Sequence, residues 1–128
     1  MRRTTAGMTL LVVLAMVQIY ALYLYQPEPG PGVPYLDKVA HVLLFAVPAA
    51  VAARMRWRWA LMILLLHALI SEPIQSSLPV PRNADWVDLL ADLLGIVVGM
   101  GIGRAVAKRA LHEGRRPSPT TSHDPGGH

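Results

Sequence analysis

Polar side chains that could bind or react recur at helical spacing in an otherwise apolar chain. Asp88 and Asp92 are four residues apart, so in a helix they would lie on one face. Asp37 and His41 have the same spacing. Carboxylates and a histidine can bind a polar headgroup, hold a divalent metal or transfer protons. Which of these they do depends on the elements that bring them together.

The composition is typical of a membrane protein rather than of a soluble domain. Of the 128 residues, 53% are hydrophobic and only 16% are charged, whereas soluble domains carry about a quarter charged residues. The length is that of a single domain. The chain has no cysteine, which excludes disulfides, cysteine-based zinc sites and cysteine nucleophiles.

Four apolar runs are long enough as helices to cross, or nearly cross, a hydrocarbon core of about 30 Å. They cover residues 8–25, 39–53, 59–75 and 86–103. The first run follows two arginines, as in a cleaved signal peptide, but it is long for one and no A-x-A site ends it. Because helices satisfy their own backbone hydrogen bonds in lipid, we predict an all-α polytopic membrane protein, an antiparallel bundle of four transmembrane helices.

The basic residues are divided unequally between the two sides of such a bundle. With the N-terminus inside, the inner side holds Arg2, Arg3, Arg54, Arg56, Arg58, Arg104, Lys108, Arg109, Arg115 and Arg116. The outer side holds only Lys38 and Arg82. The positive-inside rule therefore predicts that both termini are cytoplasmic. Since topology explains the basic residues, we expect the lipid bilayer as a partner and no nucleic acid.

The end of the apolar pattern sets the domain boundary. We assign residues 1–111 to the four-helix transmembrane domain. Residues 112–128 are basic at first and then rich in Pro, Ser, Thr, His and Gly. Because such a composition cannot bury a core, we predict that these residues form a disordered cytoplasmic tail.

The same topology gathers polar residues from three runs and one loop at the outer surface. They are Asp37, Lys38, His41, Glu72, Gln75, Arg82, Asp85, Asp88 and Asp92. A carboxylate near the membrane centre costs about 2.5–3.5 kcal/mol, so these groups should pair or line a water-filled pocket. We therefore predict an outward-facing polar pocket that binds a ligand or substrate. The alternative for Asp37 and Asp85 is a helix cap, with Arg82 neutralising Asp85.

Two further features of the apolar runs concern packing. Gly95, Gly99 and Gly103 are spaced as G-x-x-x-G-x-x-x-G, which lets helix backbones approach closely in lipid. This seam could serve either packing within the bundle or self-association. His67 lies alone in the middle of the third run, and we interpret it as a hydrogen-bonded core histidine rather than a site residue.

Three motifs in the sequence resemble the signatures of a known family. D-K-x-x-H-x-x-x-F at residues 37–45 resembles the opening signature of VanZ-like membrane proteins, and S-E-x-x-Q at residues 71–75 resembles the second. P-R-x-x-D-x-x-D at residues 81–88, followed by D-x-x-G at residues 92–95, resembles the third. Asp92 stands where the family commonly has Asn, which adds a carboxylate. The resemblance covers residues 8–111 and implies a VanZ-like transmembrane domain.

The resemblance implies an association with resistance to teicoplanin-type glycopeptide antibiotics in the bacterial cell envelope. Under our first hypothesis, the chain is a non-enzymatic factor of the bacterial cell membrane. Its outer pocket would bind a cell-envelope lipid, a lipid-linked cell-wall precursor or a lipoglycopeptide. Lys38 and Arg82 could pair with phosphate or carboxylate groups of the ligand.

Under the second hypothesis, the chain is an intramembrane enzyme that uses a metal or acid–base chemistry on a lipid phosphate. His41 with several carboxylates could bind Mg²⁺, Mn²⁺ or Zn²⁺, or transfer protons. The sequence has no H-E-x-x-H motif, phosphate-binding loop or nucleophile elbow, so no cofactor is identified and a divalent metal stays open. Ion movement is least favoured because the inner half of the fourth run is apolar. The sequence does not predict the oligomeric state.

Overall fold

All four predicted helices are present in the computed structural model, which describes residues 2–25, 35–77 and 86–114. Their bounds are Arg2–Ile19 for α1, Leu36–Arg54 for α2, Arg58–Ser76 for α3 and Trp86–Glu113 for α4, and α1 continues into a π-helical turn, Tyr20–Leu24. No strand occurs in the described residues. Each helix is long and apolar enough to cross a membrane. The predicted all-α bundle of four transmembrane helices is therefore confirmed.

The fourth helix is longer than its apolar run. At about 1.5 Å per residue, its 28 residues span about 42 Å, which exceeds a hydrocarbon core of about 30 Å. The predicted domain boundary at residue 111 falls in the last turn of α4, since that helix ends at Glu113. The rest of the predicted tail, residues 115–128, lies outside the described residues.

The most extensive packing in the described residues joins α2 and α4. Gly95 lies against the backbone carbonyl of Val42, and Gly103 lies against that of Ala50, with Gly99 between them on the same face. Because both sets of residue numbers increase together, α2 and α4 run parallel. A Cβ atom at Gly95 or Gly103 would overlap those carbonyls. Within this single chain, the glycine seam therefore packs against α2.

The bundle has two chemically different ends. At the polar end, α2 begins at Leu36 and α4 begins at Trp86, while α3 ends at Ser76. At the basic end, a tight turn joins Arg54, the last residue of α2, to Arg58, the first residue of α3. Between the ends lies a small apolar core made of Leu22, Phe45, Ala49, Leu64, Ala68 and Ile96.

Candidate functional site

A buried histidine–carboxylate pair links the two parallel helices near the polar end. His41 Nδ1 donates a hydrogen bond of 2.8 Å to Asp92 Oδ1. Asp92 is fully buried and His41 is 6% exposed. Because Nδ1 bonds Asp92, the other ring nitrogen of His41, Nε2, has no hydrogen-bond partner among the described residues.

The third helix contributes a hydroxyl group to the same pair. Ser71 Oγ donates to the backbone carbonyl of Ala68 at 2.8 Å and lies 3.4 Å from Asp92 Oδ2. Because its short bond goes to the backbone, Ser71 is not poised as a nucleophile against His41. Its one hydroxyl proton can be donated either to Ala68 or to Asp92, and in the second case it helps to solvate the buried Asp92 carboxylate.

A second polar pair lies nearer the polar end, between the first turns of α2 and α4. Lys38 Nζ donates to Asp88 Oδ1, and both side chains are mostly buried. Lys38 Nζ also lies 3.2 Å from Asp37 Oδ2, whose side chain is 64% exposed. Asp37 is therefore at the rim of the cluster, whereas Asp88 faces its interior.

Glu72 and Gln75 extend the cluster along one face of α3. Both side chains are buried, at 9% and 2% exposure. The carboxylate of Glu72 acts electrostatically on the ring of His41, as do those of Asp88 and Asp92. Gln75 Nε2 is buried and has no hydrogen-bond partner among the described residues.

We call the buried groups at this end the polar cluster. Its described members are Lys38, His41, Ser71, Glu72, Gln75, Asp88 and Asp92. Apart from Ser71, which the sequence did not assign to the pocket, these side chains were among those predicted to converge, and Asp37 adjoins them. Arg82 and Asp85, also predicted for the pocket, lie outside the described residues.

A polar contact that the sequence patterns did not reveal lies deeper in the bundle. Tyr23 Oη and His67 Nε2 form a hydrogen bond of 2.9 Å, which joins the π turn to α3. The ring of His67 also packs against Phe45, with ring centroids 5.6 Å apart. His67 is therefore a hydrogen-bonded core histidine, as interpreted from the sequence. Its partner, Tyr23, was not predictable, because the sequence does not reveal the π-helical turn that contains Tyr23.

A comparison with known protein families shows what the chain is related to. The family profile described as VanZ/LLP1 matches residues 3–107. The chain belongs to the VanZ/LLP1 family. The predicted VanZ-like relationship is thereby confirmed, and no curated protein and no solved structure matches the chain. Family membership and four apolar helices make this VanZ-like chain a multi-pass membrane protein with a lipid bilayer around it.

The VanZ-like motifs meet at the polar cluster. His41 belongs to the first motif, Ser71 to the second and Asp92 to the third, and the side chains of His41 and Ser71 both contact Asp92. Within the described residues, no group of three or more His, Asp or Glu side chains could hold a metal ion. The sequence identified no cofactor, and a divalent metal stays a hypothesis for this VanZ-like chain.

Proposed function

We propose that the polar cluster of this VanZ-like protein binds the polar headgroup of a cell-envelope lipid, a lipid-linked cell-wall precursor or a lipoglycopeptide. Through this binding the protein contributes to teicoplanin resistance in the bacterial cell membrane, with the cluster facing outward and both termini in the cytoplasm. VanZ/LLP1 membership supports the link to resistance.

One observation carries the proposal. The amide nitrogen of Gln75 is buried and has no hydrogen-bond partner among the described residues. An unsatisfied buried polar group costs about 1–3 kcal/mol. A ligand oxygen that accepts from Gln75 Nε2 would remove this cost, which is what a phosphate, carbonyl or sugar group offers.

Apart from Gln75, the polar cluster contains both basic and acidic side chains, which suits a headgroup that carries acidic and basic groups. Lys38 is already paired with Asp88, and His41 with Asp92. Because Lys38 and Asp88 compensate each other's charge, a ligand group can replace one partner of this pair without leaving a bare charge in the membrane. Arg82 is proposed to complete the site for anionic groups.

Binding can be measured directly with teicoplanin and the full-length chain in phospholipid nanodiscs. We expect saturable binding to wild type above that to empty nanodiscs. Gln75→Leu should weaken the affinity about fivefold, the effect of one lost hydrogen bond of about 1 kcal/mol. The matched control is Ser76→Ala, because the exposed Ser76 hydroxyl bonds the carbonyl of Pro73 within its own helix. Equal affinities for wild type and Gln75→Leu would contradict the proposal, because Gln75 would then not bind the ligand.

A second candidate function is acid–base catalysis on a lipid phosphate. It is favoured by the orientation of His41, whose Nδ1 is held by Asp92 while Nε2 has no partner among the described residues. In such a dyad the carboxylate fixes the tautomer and Nε2 transfers the proton. Release of phosphate from phosphatidic acid by wild type, but not by His41→Gln, would favour this function. If elemental analysis of the purified protein finds stoichiometric Mg²⁺, Mn²⁺ or Zn²⁺, the metal-dependent form of this function would be favoured.

A further inference from the structure

Two arginines from neighbouring helices lie at one depth at the basic end of the bundle. Arg58 begins α3, eighteen residues before Ser76 at the polar end, and Arg104 lies eighteen residues after Trp86, where α4 begins at that end. At about 1.5 Å per residue, both are about 27 Å from the polar end. This distance is close to the thickness of a hydrocarbon core, about 30 Å, so both residues lie where the hydrocarbon meets the phospholipid headgroups.

The contact between α3 and α4 relates the two arginines to each other. Leu61, three residues after Arg58, and Met100, four residues before Arg104, both pack against the apolar core. Residues three or four apart share a face of a helix, so each arginine lies one turn beyond a side chain that packs between the helices. Both arginines are exposed. We call Arg58 and Arg104 the arginine pair.

No acidic side chain among the described residues neutralises the arginine pair. The ion pairs in the described part of the chain lie at the polar end. Glu113, the one described carboxylate at the basic end, is nine residues beyond Arg104, about 13 Å along α4. Two cations at one depth repel each other, and an anion bound between them would offset this repulsion.

Helix dipoles do not account for the positions of the arginine pair. A cation is favoured in the last turn of a helix and disfavoured in the first. Arg58 is the first residue of α3, and Arg104 lies nine residues before the end of α4. The dipole does explain Arg54, in the last turn of α2. The positive-inside rule requires basic residues at this end, but it does not require two of them beside one helix contact.

A phospholipid phosphate matches the charge and the depth of the arginine pair. The guanidinium group of arginine binds phosphate oxygens through two parallel hydrogen bonds. Arg58 is flanked by Trp57 and Trp59, whose rings stack with centroids 5.8 Å apart, and tryptophan is enriched at the level of the headgroups. Val97, seven residues before Arg104 and so on the same face of α4, is 67% exposed and offers an acyl chain an apolar surface.

We propose that the arginine pair binds the phosphate group of an anionic phospholipid in the leaflet at the basic end. A zwitterionic phospholipid adds a cation to its headgroup, whereas an anionic one such as phosphatidylglycerol brings net negative charge to two positive side chains. In the proposed orientation this end is cytoplasmic, where the leaflet carries anionic lipids. The inference does not depend on the proposed function, because the polar cluster lies at the opposite end of the bundle.

The test measures lipid binding to the full-length, detergent-solubilised protein by native mass spectrometry. Phosphatidylglycerol and phosphatidylcholine with identical acyl chains are titrated separately. We expect wild type to bind one phosphatidylglycerol about 25-fold more tightly than phosphatidylcholine, from about fivefold for each arginine, the equivalent of about 1 kcal/mol per basic side chain at an anionic surface. Soluble glycerol phosphate should not displace the lipid, because it lacks acyl chains.

Matched variants separate the arginine pair from general positive charge. Arg58→Gln and Arg104→Gln should each lower the affinity for phosphatidylglycerol about fivefold, and Arg104→Lys, which keeps the charge, should retain most of it. Arg109→Gln removes the same charge from an exposed side chain five residues farther along α4, where the helix has turned by about 140°, and should leave the affinity unchanged. Because all the replaced side chains are exposed, thermal unfolding in detergent should be the same for every variant.

Three results would overturn the inference. Equal affinities of wild type for phosphatidylglycerol and phosphatidylcholine would mean that the arginine pair does not select an anionic lipid and is left to an acidic partner protein. An equal loss of affinity in Arg109→Gln would mean diffuse attraction to basic residues without a site. Displacement of the lipid by glycerol phosphate would assign the arginine pair to a soluble phosphate compound.

Discussion

Asp92, a carboxylate with no solvent exposure, accepts a 2.8 Å hydrogen bond from Nδ1 of His41 across the contact between α2 and α4. The pair sits in a bundle whose helices are otherwise apolar enough to cross a membrane. Breaking one side of a buried pair leaves the other without compensation. The stability of the bundle should therefore depend on the acceptor at position 92 more than on its charge.

Substitutions at Asp92 test this dependence. Asp92→Asn keeps an oxygen that accepts from His41 Nδ1, so unfolding of the detergent-solubilised protein should change by less than about 1 kcal/mol. Asp92→Leu leaves Nδ1 buried and unpaired and should cost about 1–3 kcal/mol. Thermal unfolding followed by tryptophan fluorescence measures both. If the Leu and Asn variants unfold at the same temperature, the hydrogen bond does not stabilise the fold.

Two glycines of α4, one inside the glycine seam and one outside it, have opposite environments. A Cβ atom at Gly99 would overlap the carbonyl of Ala46, whereas one at Gly101 would meet nothing within 4 Å. Gly99→Ala should thus separate α2 from α4 and destabilise the protein by about 1–3 kcal/mol. Gly101→Ala should be neutral or stabilising by up to about 1 kcal/mol, because alanine favours helix. Comparable loss of folded protein in both variants would contradict the assigned packing.

The hydrogen bond between Tyr23 and His67 should make a small contribution. Tyr23→Phe removes the hydroxyl and keeps the ring, and interhelical hydrogen bonds in membranes average about 0.6 kcal/mol. Tyr20→Phe, three residues earlier on an exposed ring, is the matched control and should have no effect. A double-mutant cycle with His67→Phe isolates the coupling, and a coupling of zero would mean that the contact does not hold the π turn against α3.

The proposed orientation can be tested because the chain has no cysteine. Arg58→Cys at the basic end and Ser77→Cys at the polar end both replace exposed side chains. A membrane-impermeant maleimide added to intact cells should label position 77 and leave position 58 unlabelled until the membrane is opened. The reverse pattern would place the polar cluster on the cytoplasmic side and contradict an outward-facing site.

The sequence predicted those features that follow from hydropathy and helical spacing. The apolar runs predicted four helices, and the spacing of Asp88 and Asp92 predicted one shared face. The helix that packs against the glycine seam was not predictable, because a row of glycines can pack against any helix with a smooth face. Backbone geometry identified α2, whose carbonyls at Val42 and Ala50 receive the glycines.

Other contacts needed the register of the helices in three dimensions. Ser71 was part of a motif, yet its proximity to Asp92 depends on how α3 crosses α4. Tyr23 resembled an interfacial aromatic residue in an apolar run, and only the π turn directs it to His67. Gln18 could be recognised as polar in the sequence, but its burial depends on how α1 packs in the bundle.

The most direct test of the central claim, that the polar cluster is the working site, is teicoplanin susceptibility in a sensitive Gram-positive host. Cells with empty vector, wild type, Glu72→Gln, Asp88→Asn and the control Glu113→Gln, an exposed carboxylate at the far end of α4, are compared at matched membrane levels. The account predicts protection by wild type and Glu113→Gln and loss of protection in both cluster variants. Protection by Glu72→Gln and Asp88→Asn equal to that of wild type would contradict it, and so would a wild type that gives no protection.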